Sequence, residues 1–319
     1  MAVTDPFEAF GDVADLALDL ADPDAAVRRV AVLALAETAD PEAIPHLGGA
    51  VADPDAGVRR QAAEALGGFD GPGTAAALCA ALADADPGVA AAAAESLTEL
   101  KDPAAGAPIL PLVAHADAFV RAAALRGLRN LRLATSLGPA VGALGDPEPA
   151  VRAQAVGVIA YLKSEEALPS LIGATRDPDA EVRRAAVGAL AFSRHGHAGE
   201  AIGHALHDDD WGVREIAADA LGRAGQGTGS AALIVALDDP YWQVRQKALR
   251  SLGQLKAHEA VPALLLVLAD ARPTLRKEAA AALGEIAAPQ ARAGLAAIAD
   301  DTDPDVRKTA RWALDRLPA

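Results

Sequence analysis

The chain has 319 residues and a formal net charge of −15, with 44 Asp and Glu against 29 Lys and Arg. A nucleic-acid partner is therefore disfavoured, because phosphate binding needs a basic footprint. The single cysteine, Cys79, excludes an internal disulfide and a Cys-based metal cluster. No uninterrupted apolar run reaches the ~18 residues of a membrane span, and the acidic N-terminus lacks the basic region of a secretory signal. We therefore expect a cytoplasmic protein with no membrane contact.

The first predicted helix covers residues 5–21. Its apolar residues recur at helical spacing: Phe7, Phe10, Val13, Leu16 and Leu20. The two Phe residues are expected to close the end of the hydrophobic core, where no earlier element covers it.

A fourteen-residue motif dominates the rest of the chain and is clearest at residues 177–190. Asp177 followed by Pro178 predicts a helix start, with Asp177 as the cap and Pro178 in the first turn. The apolar stripe of this helix consists of Val182, Ala186, Ala189 and Leu190. Because the stripe is narrow and rich in Ala, another helix can approach it closely.

The valine of this motif recurs at one constant spacing, that between Val27 and Val58, without an insertion. The ten positions are Val27, Val58, Val89, Val120, Val151, Val182, Val213, Val244, Leu275 and Val306. Four residues later every copy has Ala, and eight residues later every copy has Leu or Ile. A fixed period of this length predicts a solenoid of stacked repeats.

A second helix is predicted before each valine-bearing helix, because an aliphatic residue stands eleven residues before the valine in nine repeats. Just after the Leu of the motif come Gly67, Gly222, Gly253 and Gly284. Their position predicts that they stop the helix. Each repeat therefore consists of a first helix, an Asp-rich turn, a second helix and a closing turn.

The pattern D-P-x-x-x-V-R-x-x-A-x-x-A-L resembles the HEAT-like repeat, in the short form that also occurs in phycobilin lyase subunits. The resemblance covers nearly the whole chain. It implies a right-handed superhelical scaffold in which the second helices line a concave binding face.

The predicted fold is an all-α, right-handed α-solenoid of ten 31-residue two-helix repeats. We expect residues 1–319 to form a single domain. Repeat 1 (about residues 5–36) and repeat 10 (about 285–319) are expected to cap the ends of repeats 2–9 (about 37–284).

Two charged positions recur at a fixed spacing from the valine. An Arg follows it in nine repeats: Arg28, Arg59, Arg121, Arg152, Arg183, Arg214, Arg245, Arg276 and Arg307. An Asp stands five residues before it in nine repeats: Asp22, Asp53, Asp84, Asp146, Asp177, Asp208, Asp239, Asp270 and Asp301. The exceptions, Ala90 and His115, fall in successive repeats. This coincidence predicts a structural ladder that joins each Arg to the Asp of the next repeat; the alternative is an Arg row that binds an anionic ligand.

Candidate partner-binding residues fall into two sets. The basic set, near the middle of the second-helix face, is Arg121, Arg126, Arg129 and Arg250, and it suits an acidic segment of a partner. The aromatic set is Trp211, Tyr241, Trp242, Tyr161 and Phe192. Trp211 and Trp242 share one register and could form an apolar ridge. The alternatives are ordinary solvated surface for the basic set and gap filling between Ala-rich helices for the aromatic set.

A cluster of His residues leaves a metal site as an open alternative to a solvated turn. His195, His197, His204 and His207 lie within thirteen residues, near Glu200 and Asp208. No catalytic set or phosphate loop is recognised, and no cofactor is predicted. The hypothesis is therefore a non-enzymatic scaffold, a monomer by itself, that binds a protein or peptide. The alternative, implied by the resemblance, is a lyase-like or chaperone-like subunit acting on a tetrapyrrole or a modified protein.

Overall fold

A computed structural model describes residues 12–193, 195–224 and 229–318. The described residues contain twenty α-helices and no β-strand, so the prediction of an all-α repeat fold is confirmed. Phe7, Phe10 and the start of the predicted helix at residue 5 lie outside the described residues. The chain divides into two units, residues 1–164 and 165–319.

Each unit contains five two-helix repeats, in which odd-numbered helices come first and even-numbered helices second. Unit 1 contains α1 (Val13–Leu18), α2 (Ala25–Glu37), α3 (Ala43–Ala50), α4 (Ala56–Leu66), α5 (Pro72–Ala81), α6 (Pro87–Ser96), α7 (Gly106–Ile109), α8 (Ala118–Leu131), α9 (Leu137–Ala143) and α10 (Pro149–Leu162). Unit 2 contains α11 (Leu168–Ala174), α12 (Ala180–Leu190), α13 (Gly196–Ala205), α14 (Trp211–Ala224), α15 (Ser230–Val235), α16 (Trp242–Gln254), α17 (Val261–Val267), α18 (Pro273–Ile286), α19 (Arg292–Ala297) and α20 (Pro304–Arg316).

The second helices of neighbouring repeats pack side by side. In unit 1, α2 contacts α4, α4 contacts α6, and α8 contacts α10. In unit 2, α12, α14, α16, α18 and α20 contact one another in chain order. Each second helix also packs against the first helix of its own repeat, such as α4 on α3 and α18 on α17. Each unit is therefore an α-solenoid whose core lies between a layer of first helices and a layer of second helices.

The core of each unit consists of the periodic apolar stripe. Ala at the second stripe position is at most 2 % exposed in every repeat, from Ala31 to Ala310. The valine register is equally buried from Val58 to Val306, whereas Val27 is partly exposed. In the aliphatic register of the first helices, Leu47 and Leu264 are fully buried as well, whereas Leu16 is partly exposed. The stripe is thus covered by its own repeat and by the neighbouring ones.

The second helices start two residues later than predicted. α12 begins at Ala180, and its cap is Asp179, whose Oδ1 accepts the backbone N–H of Glu181 at 2.8 Å. Asp177 lies outside the helix, and its carboxylate instead accepts the N–H of Asp179 at 2.9 Å. The assignment of Asp177 as the cap was therefore wrong, because two Asp residues of the turn compete for this role and the nearer one takes it. The capping register recurs once in each repeat, at Asp24, Asp55, Asp86, Asp117, Glu148, Asp179, Asp210, Tyr241, Arg272 and Asp303.

The prediction that the four glycines stop their helices was wrong for three of them, because Gly222, Gly253 and Gly284 lie inside α14, α16 and α18. Gly67 is the C-cap residue of α4, as predicted, but its φ of −61° is right-handed. The four glycines mark places where neighbouring second helices approach closely. A Cβ on Gly253 would lie 2.9 Å from Ala282 Cα, and one on Gly284 would lie 2.9 Å from Ala313 Cα. Small residues in this register let the backbones meet.

Several second helices end at a left-handed residue that is not glycine. These residues share one register, twelve after the valine, and have φ between 51° and 56°: Ala39, Arg132, Lys163, Lys256 and Ala287. Left-handed backbone at a helix end turns the chain sharply. The turn into the next repeat is thus fixed by its spacing from the stripe and not by a glycine.

The close approach predicts opposite effects for two matched Gly→Ala substitutions in unit 2. Gly284→Ala is expected to destabilise the protein by about 1–3 kcal/mol, because the added methyl overlaps Ala313 and the ring of Trp312. Gly203→Ala, inside α13 with no atom within 4 Å of the added Cβ, is expected to stabilise it by about 0.5–1 kcal/mol. Chemical denaturation of both variants measures the difference. Equal effects of the same sign would contradict the close-approach interpretation.

Candidate functional site

The Arg that follows each valine bridges two turns. Arg28 Nε donates to Asp53 Oδ2 at 2.7 Å, and its Nη2 donates to Asp53 Oδ1 at 2.8 Å, so the guanidinium and the carboxylate of the next repeat meet in parallel. The remaining nitrogen, Nη1, donates to the carbonyls of Asp22 and Pro23 in the turn of its own repeat. The Asp53 carboxylate also accepts the N–H of Asp55. One ion pair therefore fixes the turn geometry of two adjacent repeats.

The same two-bond contact recurs in both units. The pairs are Arg28–Asp53, Arg59–Asp84, Arg121–Asp146, Arg183–Asp208, Arg214–Asp239 and Arg276–Asp301, with Nε–Oδ2 distances of 2.7–2.8 Å. Arg245 approaches Asp270 less closely, at 3.8 Å. We call these pairs the Arg–Asp ladder. Their side chains are mostly buried, for example 13 % and 9 % exposed for Arg276 and Asp301.

Four residues of the two registers also contact backbone groups of their own turns. Arg152 of unit 1 donates to the carbonyl of Asp146, and Arg307 of unit 2 donates to that of Asp301. Asp22 and Asp177 each accept the N–H two residues later in their own turns.

The repeat pair that lacks the ladder residues keeps the turn but not the bridge. Ala90 is only 7 % exposed, so the register stays buried without an Arg. His115 Nδ1 lies 3.1 Å from the N–H of Asp117 and accepts it, as the Asp carboxylates do in other repeats. The imidazole therefore replaces the turn-forming function of Asp and not its ion pair.

The ladder lowers the pKa of several of its carboxyl groups. Hydrogen bonds from Arg28 and Arg59 hold the pKa of Asp53 and Asp84, respectively, below the ordinary value. The hydrogen bond from Arg276 lowers the pKa of Asp301 from 3.8 to about 2. The cause in each case is that the guanidinium favours the charged carboxylate.

The predicted basic set does not form one patch. Arg121 belongs to the ladder, where it pairs with Asp146 and is 13 % exposed. Arg126 Nη2 lies 2.6 Å from Glu95 Oε2, and Arg250 Nη2 lies 2.8 Å from Glu278 Oε1. Only Arg129 has no carboxylate partner among the described residues. Ion pairs between adjacent repeats thus neutralise most of this set.

Arg129 instead belongs to a groove at the C-terminal ends of α6, α8 and α10 in unit 1. The groove has a volume of about 510 Å³ and is lined by Thr98, Glu99, Leu100, Lys101, Arg126, Arg129, Asn130, Arg132 and Tyr161. The guanidinium carbons of Arg129 and Arg132 lie 5.6 Å and 5.7 Å from the centre of the Tyr161 ring. The ring is 45 % exposed. We call this site the Tyr161 groove.

A second cluster lies in unit 2, where α14 and α16 begin. Trp211 does not pair with Trp242 in a ridge: its ring stacks on Tyr241 with the ring centres 5.3 Å apart and the planes 10° from parallel. The guanidinium carbons of Arg214 and Arg272 lie 5.7 Å and 5.6 Å from the ring centres of Tyr241 and Trp242. We call Trp211, Tyr241, Trp242, Arg214 and Arg272 the Trp211 cluster.

Arg272 and Lys101 were not among the candidate residues predicted from the sequence. Arg272 and Tyr241 occupy the helix-capping register, where most repeats have Asp. Departure from the repeat consensus at a solvent-facing register was therefore the signal that could have found Arg272. Phe192, by contrast, is 71 % exposed and makes no aromatic contact within the described residues.

The four His residues of the candidate cluster do not converge on one site. His195 Nε2 is 3.6 Å from Glu165, and His197 Nδ1 is 3.3 Å from Glu200. His204 and His207 line a separate groove with Arg176. Within the described ranges, no three His, Cys, Asp or Glu side chains are placed to hold a metal ion.

Two further features concern the part of the chain that the structure describes. None of its helices has the length and apolarity needed to cross a membrane. Cys79 is half-buried, and burial raises the pKa of its thiol to about 12. The thiol is therefore protonated at neutral pH, which makes it a poor nucleophile.

The model of the HEAT repeats family matches residues 14–97, 138–222 and 230–315. The chain belongs to the HEAT-repeat family. This family assignment agrees with the two-helix repeats and with the resemblance predicted from the motif. A search of the curated proteins found no match.

Several solved structures share the fold. A crystal structure of an engineered protein matches 96 % of this chain and 98 % of its own, with a TM-score of 0.51 and 21 % identity. Yeast importin-β (Kap95p) matches 95 % of this chain with a TM-score of 0.64 and 16 % identity. Kap95p in a structure with RanGDP matches 95 % with a TM-score of 0.65 and 15 % identity. This HEAT-repeat chain spans 50 % of the length of both importin-β chains.

The ladder predicts that its missing pair can be installed. The double substitution Ala90→Arg with His115→Asp is expected to stabilise the protein by about 1 kcal/mol more than the sum of the two single substitutions, because only the pair forms the two-bond contact. Denaturation of wild type, both single variants and the double variant gives this coupling energy. A coupling near zero would mean that the ladder sets no interaction between repeats.

The lowered carboxyl pKa values predict a loss of stability in acid. A group whose pKa is lower in the folded state stabilises the fold above its unfolded value, near 4, and this stabilisation disappears as the pH falls through the folded value. For Asp301 the window runs from about pH 4 to about pH 2. Asp301→Asn is therefore expected to make the free energy of unfolding less dependent on pH in this window, as measured by urea titrations at several pH values. Asp300→Asn, which removes a neighbouring carboxylate that is 98 % exposed, is the matched control.

Proposed function

We propose that this HEAT-repeat protein is a non-enzymatic scaffold that binds a protein partner through the face formed by its second helices. The fold supports this in general, because stacked repeats present an extended surface. The similar Kap95p chain is found in structures with RanGDP and with Nup1, which are protein complexes. The kind of partner that this chain binds is inferred from its own side chains and not from the partners of importin-β.

The observation that carries the proposal is the Trp211 cluster. Trp, Tyr and Arg are the residues most enriched among the anchors of protein interfaces. Aromatic residues form only 3 % of the sequence, yet Trp211, Tyr241 and Trp242 lie together where two adjacent second helices begin. Tyr241 is 44 % exposed, so part of its stacked ring remains open to a partner.

The stacked geometry also prepares the cluster for binding. Trp211 and Tyr241 support each other, and Arg214 is held by Asp239 in the ladder. Side chains fixed in this way lose little conformational freedom when a partner is bound. The cluster therefore presents a rigid apolar surface with a cationic edge at Arg272.

The alternative, a lyase-like or chaperone-like subunit for a tetrapyrrole, requires a deep groove lined by several aromatic and Arg side chains. The Tyr161 groove has the Arg residues but a single aromatic ring among the described residues that line it. The aromatic cluster of unit 2 favours the scaffold.

The proposal predicts that Trp211→Ala with Tyr241→Ala abolishes capture of the partner. Affinity purification from the source cells with the wild-type chain identifies the partner, and calorimetry with the purified partner gives the Kd. Loss of two anchors of this kind is expected to raise the Kd by at least about 30-fold. Thermal unfolding checks that the variant is folded.

Leu266→Ala with Val235→Ala provides the control, because these side chains are 78 % and 64 % exposed on first helices, in the other layer. This control is expected to bind as the wild type does. If the aromatic double variant binds the partner with an unchanged Kd, or if no protein is captured reproducibly, the proposal is wrong.

A further inference from the structure

The Tyr161 groove of unit 1 carries a concentration of positive charge on an acidic protein. Lys101, Arg126, Arg129 and Arg132 line it, against a single lining carboxylate, Glu99. Glu95 neutralises Arg126 from outside the groove. The net charge of the whole chain is −15, so this local balance is opposite in sign to that of the surrounding protein.

Arg129 is the residue of the groove that the fold does not require. It occupies the register nine after the valine, where other repeats have small residues such as Gly67, Gly222 and Gly253 at close helix contacts. Its Nε is buried and has no hydrogen-bond acceptor in the described part of the chain. Its stem packs against Gly157, where a Cβ would lie 3.4 Å from Arg129 Cδ, in ordinary van der Waals contact.

The guanidinium of Arg129 is therefore held by packing and by the Tyr161 ring, and its charge is not neutralised by a carboxylate of the described residues. Arg132 approaches the same ring and forms no ion pair in that part of the chain either. A cation at the carbonyl end of a helix is favoured by the helix dipole, which accounts for Arg132 at the end of α8. The helix dipole does not explain why three cations, Arg129, Arg132 and Lys101, line one groove.

The groove also offers hydrogen-bond donors in a fixed frame. Asn130 Nδ2 donates to the Thr98 carbonyl at 2.9 Å, which fixes α8 against the end of α6. A guanidinium presents paired N–H groups that match two oxygens of one tetrahedral or planar anion. Two such groups beside a half-exposed ring, with a lysine also lining the groove, are suited to a compact anion with more than one negative charge.

We propose that the Tyr161 groove binds a phosphate monoester, carried by a phosphorylated Ser, Thr or Tyr of the partner. The positive charge of the groove, confined to a small site on an acidic protein, favours a phosphate monoester over a long acidic segment. A phosphomonoester concentrates a charge of about −1.5 to −2 on three acceptor oxygens. Arg129 and Arg132, which form no ion pair among the described residues, can neutralise this charge together with Lys101. A long acidic segment would extend from the groove onto a surface that is itself acidic, where like charges repel.

This inference rests on the proposed function, because it names the chemistry that one part of the second-helix layer recognises in a partner. It concerns residues of unit 1, whereas the proposed anchors lie in unit 2. The two can therefore fail separately.

The test uses a fluorescein-labelled peptide of Gly and Ser with one central phosphoserine, titrated with the full chain and followed by fluorescence anisotropy. The matched probes carry Ser or Asp at the central position. The wild type is expected to bind the phosphopeptide at least about tenfold more tightly than either matched probe, because only the phosphate supplies a near-dianion with three acceptors. Arg129→Gln with Arg132→Gln is expected to remove this preference.

Arg60→Gln is the control variant, because Arg60 is 59 % exposed on α4 of the same unit and lies outside the groove. It is expected to keep the preference for the phosphopeptide. Trp211→Ala with Tyr241→Ala is also expected to keep it, even where partner capture is lost, which separates the two proposals.

Several results would overturn the inference. The Asp peptide binding as tightly as the phosphopeptide would show a site for acidic side chains. Inorganic phosphate displacing the phosphopeptide at equal concentration would show a site for the free anion. Tighter binding of an oligothymidylate than of the phosphopeptide would show a nucleic-acid site. Unchanged binding by the Arg129 and Arg132 double variant would place the phosphopeptide elsewhere.

Discussion

Burial of the Val-Ala-Leu stripe between adjacent second helices is the constraint on which the rest of the structure depends. A single two-helix repeat leaves this stripe exposed on its sides, so each repeat needs its neighbours. The stripe is buried in every interior repeat of both units. Because the buried residues are small, the helices approach closely, and positions such as Gly253 and Gly284 admit no side chain. The Arg–Asp ladder then joins the turns at one edge of this packed layer and fixes their register.

The fold could be predicted from the sequence because the same two-helix motif occurs ten times along the chain. The constant spacing of the motif identified the stripe, the pairing of first and second helices, and the residues of the turn. The errors arose where one residue type is suited to more than one structural role in the repeat. Asp177 and Asp179 are both suited to a cap, and only the backbone geometry of the turn decides between them. A glycine after a helical Leu suits both a helix end and a close helix contact, and the neighbouring repeat decides.

The candidate surfaces were less accessible to prediction because they depend on contacts between repeats. The sequence placed Trp211 and Trp242 in one register, but the side chain that reaches Trp211 is Tyr241, one residue earlier in the next repeat. It also grouped Arg126 with Arg129, although Glu95 neutralises only the first. Departures from the repeat consensus mark the sites: Arg272 replaces a capping Asp, and Arg129 replaces a small residue. In a repeat protein, side chains that the packing of the repeats does not require are available for binding.

The most direct test of the central claim is the removal of one whole repeat. Deletion of residues 56–86 removes α4 and α5 and joins Asp55 to Pro87, so that the cap, the helix start and the spacing of the remaining repeats are kept. Urea unfolding followed by circular dichroism is expected to remain cooperative, with an m-value lower by about a tenth, in proportion to the lost buried surface. Deletion of residues 56–70 removes α4 alone and leaves α3 without its second helix, so cooperativity is expected to be lost. If the half-repeat deletion unfolds as cooperatively as the whole-repeat deletion, or if the whole-repeat deletion is unfolded, the stripe is not what holds the stack together.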